Sequence, residues 1–283
     1  MQGVHERWQM DWKVGITIGG GQIVQLATVR DPFGAAFIAL EFYPVSGPKA
    51  RIAEARVRST LRQSFVEWGL PDEIQTDGEP TLNATASDGF PSRFQLWLAG
   101  LGVRHRRIRP GVATDDAEVE RGHRTVCEYV LEGQTEQTLE PLQQALELAR
   151  AELNGEYPSR AHGCDGRPPL QAHPELRQPK RPFRRDQEAQ QFELQRVDAY
   201  LANLQWERKV GKTGQITLGG AHQSYSLGRQ FWGQTVTVHF DPQDRQFVAV
   251  LPHEGPHQEA REVKRWPAKS LSAQEILDLP EGT

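Results

Sequence analysis

The 283-residue sequence predicts an α/β fold in which a mixed five-stranded sheet is flanked by helices and followed by a small all-β barrel. Three consecutive strand-like runs with short connections open the chain, which indicates an antiparallel meander. Strand-like and helical patterns then alternate, and such alternation adds strands parallel to the first and places helices on both faces of the sheet. Short alternating segments within 211–252 are typical of a small barrel.

The strands of the meander are predicted from their apolar residues. Residues 22–29 and 35–43 are apolar runs, and the turn at 31–34, Asp-Pro-Phe-Gly, separates them. The first strand precedes both runs, and its apolar residues alternate with polar ones, which indicates one buried face. These apolar residues are Trp8, Met10, Trp12, Val14 and Ile16.

Helical patterns follow the meander. Residues 48–69 repeat apolar side chains at helical spacing, and Gly69 supplies the stop. A later helix is predicted at 138–154, where the apolar residues share one face. Between these two helices we predict a strand at 71–77, a helix at 92–102, a strand at 103–109 and a long helix that opens after 114.

Composition divides the chain into four predicted regions. Residues 176–188 are rich in proline and arginine, as in a linker, and 189–206 has a helical pattern. Residues 254–283 are polar, with a short helical pattern at 272–279, and are interpreted as a tail or a partner-docking segment. The predicted regions are a core at 1–175, a linker and helix at 176–207, a barrel at 208–253 and a polar tail at 254–283.

Composition also excludes several classes of protein. A hydrophobic content of 37% fits a soluble globular protein, no apolar run reaches the roughly 18 residues of a membrane span, and the N-terminus has no apolar signal core. Two cysteines, Cys127 and Cys164, make neither a disulfide framework nor a zinc site, and a reducing cytoplasm is expected. The net charge of −4 argues only mildly against nucleic-acid binding, because the basic residues are clustered.

Acidic residues occupy unusual places in this pattern. Asp11 lies in the middle of the first predicted strand, on the face opposite the alternating apolar residues, where Asp is disfavoured. Asp77 ends the strand at 71–77 and would sit at its carboxyl edge. Glu118 and Glu120 flank the apolar stripe of the next helix about 200° apart, so only one of them can point into a site beside the core. The alternative is a solvated acidic first turn that favours the helix dipole.

These acids can converge on one point, because they come from two strands and a nearby helix. Three converging carboxylates repel one another unless a cation neutralises them. Ligands that are all oxygen suit Mg²⁺ or Mn²⁺. The sequence therefore predicts a divalent metal site.

Three motifs contain the acids: Gln-Met-Asp-Trp at Asp11, Thr-Asp-Gly-Glu-Pro at Asp77 and Glu-Val-Glu-Arg-Gly-His-Arg-Thr at Glu120. Their order, with gaps of 66 and 43 positions, resembles that of the DDE integrases and transposases of the ribonuclease H-like superfamily. Within that family the chain looks most like the bacterial Mu-type transposases, which have a C-terminal β-barrel. The third acid of the family precedes the Arg of a Val-Glu-Arg motif, which selects Glu120 over Glu118. The chain departs from the family at Gly122, where an aromatic residue is usual.

The resemblance implies an integrase-like catalytic core that uses two Mg²⁺ or Mn²⁺ ions. It implies that Asp11 bridges the two ions, that Asp77 completes the shell of one and that Glu120 completes the shell of the other. The implied reaction is metal-dependent DNA cleavage and strand transfer by phosphoryl transfer. Two alternatives stay open: a ribonuclease H-like nuclease without joining activity, and a catalytically silent DNA-binding transposition protein.

The resemblance also implies partners. The expected ones are DNA, as transposon ends and target, and further copies of the chain assembled on that DNA. Met1 lies only ten residues before Asp11, which leaves no room for the helix-turn-helix modules that the family has upstream of its core. We therefore expect that these modules lie on another polypeptide or in a longer form of the chain, or that they have been lost. A separate end-recognition protein or ATPase is a further candidate partner. The chain alone is expected to bind DNA with little sequence preference, in the bacterial cytoplasm with the nucleoid and away from membranes.

Two basic clusters are the candidate DNA contacts, and the alternative for both is solvated surface. The first cluster lies in the predicted strand at 103–109, and the second lies in the linker. The first comprises Arg104, Arg106, Arg107 and Arg109, and the second comprises Lys180, Arg181, Arg184 and Arg185.

The Glu120 helix adds three candidates. Arg121 and Arg124 could hold phosphate, and the alternative is local pairing with glutamates three or four residues away. His123 is either a contact to DNA or water, or a packed helix histidine.

Overall fold

The structure is a computed structural model in which contacts divide the chain into two compact units. The first unit comprises 1–79 and 103–188, and the second comprises 80–102 and 189–283. None of the helices described is long and apolar enough to cross a membrane. The residues described are 2–47, 50, 52–76, 82, 89–107, 117–132, 138–161, 163–219, 223–251 and 261–278, with the side chains of 117–121 excepted.

A five-stranded sheet organises the first unit. Its strands are β1 (Arg7–Ile18), β2 (Gln22–Asp31), β3 (Ala36–Val45), β4 (Glu73–Thr76) and β5 (Arg104–Arg107). They stand in the order β3-β2-β1-β4-β5. The pairs β1–β2 and β2–β3 are antiparallel, whereas β4 runs parallel to both β1 and β5. The predicted mixed sheet of the ribonuclease H-like type is therefore confirmed.

The helices in the described part of the chain differ in length. The predicted helix at 48–69 begins later, at Glu54, because Ala53 is extended, and it ends at Gly69, whose φ of 78° only glycine adopts readily. The helices are α1 (Glu54–Trp68), α2 (Arg93–Gly100), α3 (Ala117–Leu131), α4 (Leu139–Gly155), α5 (Pro169–Ala172), α6 (Glu188–Gln191), α7 (Leu194–Ala202) and α8 (Ala273–Leu277).

Helices cover both faces of the five-stranded sheet. On one face, an apolar cluster joins Leu26 of β2 to Val126 of α3 and Leu146 of α4, all of them buried. Each such burial stabilises the fold by about 1.5–3 kcal/mol. On the other face lies α1, where the ring centroid of Phe65 is 5.8 Å from that of Trp8. The strand that carries Asp11 is thus held between two helical layers.

A buried polar cluster fixes the start of β1. The carboxylate of Asp31 accepts the backbone N–H of His5 at 2.6 Å, and burial raises the pKa of Asp31. His5 Nε2 lies 2.8 Å from the carbonyl oxygen of Leu176. Because a carbonyl can only accept, Nε2 carries the proton, and Nδ1 accepts from Trp8 Nε1 at 3.1 Å. These bonds tie the end of β2 and residue 176 to the strand that carries Asp11.

The second unit contains the β structure that the sequence predicts as a barrel. Its strands are β6 (Gln205–Lys209), β7 (Gln215–Thr217), β8 (Ser224–Ser226), β9 (Thr235–Asp241), β10 (Gln246–Leu251) and β11 (Arg261–Pro267). Four form an antiparallel sheet in the order β11-β10-β9-β6, and β7 pairs with β8. The ring of Phe247 lies 5.9, 5.6 and 5.5 Å from the rings of Trp206, Tyr225 and Phe240, so the core of this unit is aromatic.

The predicted polar tail at 254–283 contains regular structure. Strand β11 pairs with β10 at the edge of the four-stranded sheet, and the short helix α8 follows it. Trp266 is the buried residue of β11, and most of its other side chains are exposed and polar. An edge strand tolerates such a sequence, which hides the apolar alternation by which strands are predicted.

Helix α2 belongs to the second unit, although it lies between β4 and β5 in the sequence. A Cβ at Gly100 would lie 2.0 Å from the ring of Phe192, and the carbonyl of Gly100 accepts the N–H of Glu193 at 2.9 Å. Just before α2, the ring of Phe90 lies 5.1 Å from that of Trp206. The compact units thus divide the chain differently from the four predicted regions, whose boundaries stay predictions.

Candidate active site on the five-stranded sheet

Asp11 lies in the middle of β1, on the sheet face that α3 and α4 cover. The antiparallel register pairs Asp11 with Thr28 and Gln9 with Arg30. Because paired residues in a sheet point to the same side, these four side chains share a face. The side chain of Asp11 keeps 20% of its surface exposed. A partly exposed carboxylate in mid-strand is better placed to bind a ligand than to pack in the core.

Strand β4 runs beside β1 and ends next to Asp11. The parallel register pairs Met10 with Thr76, which is the last residue of β4. The hydroxyl of Thr76 is 2.9 Å from Nε2 of His105 on the next strand. The strands that lead to the first two acids are therefore neighbours, and Asp77 itself lies outside the described residues.

Helix α3 brings His123 to Asp11. Nδ1 of His123 lies 3.6 Å from Oδ2 of Asp11, and only 6% of the histidine is exposed. Burial, with a smaller contribution from Lys13, lowers the pKa of His123 to about 4. The imidazole is therefore neutral at physiological pH, and its contact with Asp11 is not an ion pair. Nε2 of His123 is buried and makes no hydrogen bond to any residue the structure describes.

Glu120 precedes His123 by three residues on α3, about one helical turn. The side chains of Glu118, Glu120 and Arg121 lie outside the described part of the chain. Arg124 is exposed to solvent. The third acid of the motif, and its choice over Glu118, stay predictions.

Gly122 stands at a position where the DDE integrases and transposases usually have an aromatic residue. It is a buried residue of α3, and a Cβ at this position would lie 3.3 Å from the ring of Phe37 and 3.6 Å from Nη1 of Arg30. The guanidinium group of Arg30 stacks 5.4 Å from the centre of the Phe37 ring. An aromatic side chain at 122 would displace this pair, so glycine allows α3 to approach the sheet closely.

The donor chemistry at Asp11 fits a divalent cation. Its carboxylate oxygens are ligands of the type that Mg²⁺ and Mn²⁺ prefer, and the neutral His123 adds no positive charge beside them. Among the side chains described, no three His, Cys, Asp or Glu residues are arranged around one point. The other two predicted ligands, Asp77 and Glu120, are not among those side chains.

Strand β5 divides the first basic cluster between the two faces of the sheet. Arg104 and Arg106 point to one face and Arg107 to the other, because successive residues of a strand alternate. Arg104 pairs in register with Glu73 of β4. Arg104 and Arg107 are exposed and Arg106 is partly buried, whereas Arg109 lies outside the described residues.

Two members of the linker cluster contact nearby protein groups. Arg181 donates from Nη2 to the carbonyl oxygen of Pro71. Nη2 of Arg184 lies 2.8 Å from Oδ2 of Asp186, and this hydrogen bond lowers the pKa of that carboxyl. The exposed members of the cluster are Lys180, Arg184 and Arg185. The assignment of the linker cluster to DNA contact stays a prediction.

Sequence reasoning missed two residues of the Asp11 face, Arg7 and Glu73. Arg7 donates from Nε to Oε1 of Glu73 at 2.5 Å. Part of the signal was present in the sequence, since Arg7 and Asp11 are four residues apart in one strand and so share a face. That Glu73 of β4 is the partner of Arg7 could not be predicted, because the pairing depends on the strand order, which local patterns do not give.

The strand order and the helices on both faces define the ribonuclease H-like class of α/β folds. No protein-family model matches the chain. A chain of the cryo-EM structure of the simian T-cell lymphotropic virus intasome with PP2A regulatory subunit B56 gamma aligns over 93% of this chain and 77% of its own length, with 16% identity and a TM-score of 0.49.

Two integrase core domains align over a smaller part of the chain. The catalytic core domain of HTLV-2 integrase, solved with magnesium in a trimeric form, covers 61% of this chain and 98% of its own, with 18% identity and a TM-score of 0.44. The catalytic core domain of BIV integrase covers 60% of this chain and 95% of its own, with 19% identity and a TM-score of 0.40. The fold assignment rests on the strand order and connections, not on these alignments.

Proposed function

We propose that the chain is a DDE-type polynucleotidyl transferase, a transposase or integrase that cleaves DNA and transfers DNA strands. The observation that carries the proposal is the position of Asp11. Its partly exposed carboxylate stands in mid-strand, beside the end of β4 and in contact with His123 of α3. Asp77 follows β4 directly in the sequence, and Glu120 precedes His123 by about one helical turn.

In this proposal Asp11, Asp77 and Glu120 would hold two Mg²⁺ or Mn²⁺ ions. When bound, such ions acidify the attacking hydroxyl and neutralise charge on the transferring phosphoryl group. The chain itself supplies position: the ladder between β1 and β2 fixes Asp11, and the neutral His123 does not compete as a cation for its carboxylate. Arginines on the same face would bind neighbouring phosphates.

The test compares Asp11→Asn with the wild-type protein. Asparagine keeps the size of the side chain and removes its charge, so cleavage and joining in Mg²⁺ or Mn²⁺ are expected to fall by at least about 10²-fold. Calorimetric titration with Mn²⁺ should show weaker binding in the same variant. The control is Asp165→Asn, at an exposed turn residue with φ of 51°, which asparagine adopts readily.

The outcomes separate the candidate functions. Cleavage and joining that are both lost in Asp11→Asn support the transferase. Cleavage without joining by the wild-type protein indicates a ribonuclease H-like nuclease. A wild-type protein that binds no Mn²⁺ is a silent DNA-binding relative, and undiminished activity in Asp11→Asn contradicts the proposal.

The proposed partners follow from this chemistry. We propose that the chain acts on transposon ends and target DNA as a homo-oligomer, with end recognition or an ATPase supplied separately. Alone, it should bind DNA with little sequence preference. Competition binding at fixed salt checks this, and a strong preference for one duplex would contradict it.

A further inference from the structure

We infer that the sheet face beside Asp11 carries a binding site for DNA phosphates, formed by Arg7, Arg104 and Arg106 around Glu73. We call these four residues the arginine cluster. The inference rests on the proposed function, because it locates DNA that reaches Asp11. It extends that function to Arg7, which lies outside both basic clusters of the sequence.

The strand registers assemble the arginine cluster. The parallel pairing of β1, β4 and β5 aligns Arg7, Glu73 and Arg104 in one row across the sheet. Arg106 lies in the next row on the same face, in the direction of Asp11. All of these side chains point to the Asp11 face, because residues two apart in a strand share a face.

Three guanidinium groups share the carboxylate of Glu73. Arg7 Nε is 2.5 Å from Oε1, Arg104 Nε is 3.8 Å from Oε2 and Arg106 Nη1 is 4.0 Å from Oε1. The last two distances exceed that of a hydrogen bond, so Arg104 and Arg106 are near Glu73 without being bonded to it. One negative and three positive charges leave the arginine cluster with a net charge of two positive.

The cations of the arginine cluster face solvent while its acid is covered. The side chains of Arg7, Arg104 and Arg106 are 24%, 76% and 41% exposed, whereas that of Glu73 is 12% exposed. The surface that the cluster presents to a ligand is therefore positive. Guanidinium groups match the geometry of phosphate oxygens and form charge-assisted hydrogen bonds with them.

The distance to Asp11 favours a DNA strand over a small anion. At a rise of about 3.3 Å per residue, Asp11 lies about 13 Å along the strands from the Arg7 row and about 7 Å from the Arg106 row. DNA advances about 3.4 Å per nucleotide along its axis. Because β5 lies two strands, or about 10 Å, to the side of β1, Arg106 and Arg104 are about 12 and 16 Å from Asp11. A strand whose reacting phosphate lies at Asp11 would therefore place phosphates at the arginine cluster within about three to five nucleotides.

The rival explanation is that the arginine cluster only stabilises the sheet. Partly exposed ion pairs contribute little to stability, and one carboxylate does not neutralise three cations. Mutual repulsion of the arginines is relieved when a polyanion binds. The two explanations differ in what they predict for DNA affinity.

The test is DNA binding by the full chain, in EDTA, to a mixed-sequence duplex of about 30 base pairs over a range of salt concentrations. The variant Arg104→Gln/Arg106→Gln is expected to reduce the slope of log K against log [salt] by about 2, because each phosphate contact contributes about 0.9. The control Arg56→Gln/Arg177→Gln removes the same charge from exposed arginines elsewhere in the first unit and should leave the slope unchanged. An equal slope in all three proteins, or an equal fall in both variants, overturns the inference.

Glu73→Gln separates phosphate binding from ion pairing. If the arginine cluster binds phosphates, removal of its negative charge should tighten DNA binding about three- to tenfold at low salt. If the cluster only stabilises the sheet, DNA affinity stays the same and the melting temperature falls. Unchanged DNA affinity in Glu73→Gln, together with a lower melting temperature, overturns the inference even if the arginine variants fold poorly.

These measurements are independent of catalysis. Full cleavage and joining by Asp11→Asn would refute the proposed function, and the salt slopes would still report on the arginine cluster. Loss of both activities in Asp11→Asn, with unchanged slopes in Arg104→Gln/Arg106→Gln, would refute the arginine cluster alone.

Discussion

Burial keeps His105 and His123 uncharged near neutral pH. It lowers the pKa of each to about 4, and in His123 a smaller contribution comes from Lys13. His105 alternates with the arginines of β5, and its neutrality means that the positive charge of this strand comes from its arginines alone. At the residue scale, the positive charge near Asp11 therefore comes from lysine and arginine, not from histidine.

The pKa of His105 predicts a pH dependence of stability. The folded value of about 4 is below the unfolded value of about 6.5, so the unfolded state binds the proton first as pH falls. The contribution of neutral His105 to the free energy of unfolding is fully present above pH 6.5 and is lost as the pH falls towards 4. Urea unfolding at pH 7.5 and 4.5 should show that the wild type loses about 2–3 kcal/mol more than His105→Gln over this interval.

The comparison with His105→Gln isolates the effect of His105, because the other groups that titrate between pH 7.5 and 4.5 are the same in both proteins. Glutamine can still bond with the hydroxyl of Thr76, and every carboxyl group is common to both proteins. An equal loss of stability in the wild type and in His105→Gln would show that His105 is protonated as readily in the folded state as in the unfolded one.

At the scale of elements, the close packing of α3 on the sheet brings His123 to Asp11. Gly122, next to His123, is buried, and its position faces Phe37 and Arg30. Glycine in a helix costs about 1 kcal/mol relative to alanine, and here that cost is offset by the close approach of the helix to β2 and β3. A larger residue would have to move Phe37 or lift α3.

Gly122→Leu is therefore expected to destabilise the fold by about 1–3 kcal/mol through overpacking and to lower catalytic activity. The control is Gly155→Leu at the end of α4, where a Cβ meets no atom within 4 Å. Chemical denaturation of both variants provides the measurement. Equal stability of the two variants would mean that α3 does not depend on a small residue at 122.

At the scale of the whole molecule, the second unit contains a segment from the middle of the chain. Residues 80–102 belong with 189–283, and the Trp206 indole donates to the carbonyl oxygen of Gly89 at 3.2 Å. Helix α2 packs in this unit through Gly100 against Phe192. The chain leaves the first unit after residue 79, contributes 80–102 to the second unit and returns to the first unit before β5. Because of this exchange, we expect the two units to depend on each other for folding.

A fragment that ends at residue 188 should therefore fold poorly. It keeps α2, whose Phe94, Trp97 and Leu98 are buried in the full chain, but it lacks the α7 helix and the sheet of the second unit. We expect the fragment to bind a hydrophobic dye and to aggregate, whereas the full chain does neither. A monomeric fragment with cooperative unfolding and no dye binding would contradict this.

Local patterns in the sequence were sufficient for the five strands of the first sheet, for α1, α3 and α4, and for the mid-strand position of Asp11. Alternation and helical spacing depend on neighbouring residues alone, and the connections between strands leave few topologies. The strand at 261–267 escaped prediction because an edge strand needs no apolar alternation.

The sequence by itself determined the class of fold and the acids that define the proposed chemistry. The class of fold follows from short-range periodicity, and the acids follow from short motifs. Only the tertiary structure decided that His123 lies against Asp11, that Arg7, Arg104 and Arg106 share Glu73, and that α2 packs in the second unit. Each of these depends on strand register or on contacts between residues far apart in the chain, which no local pattern contains.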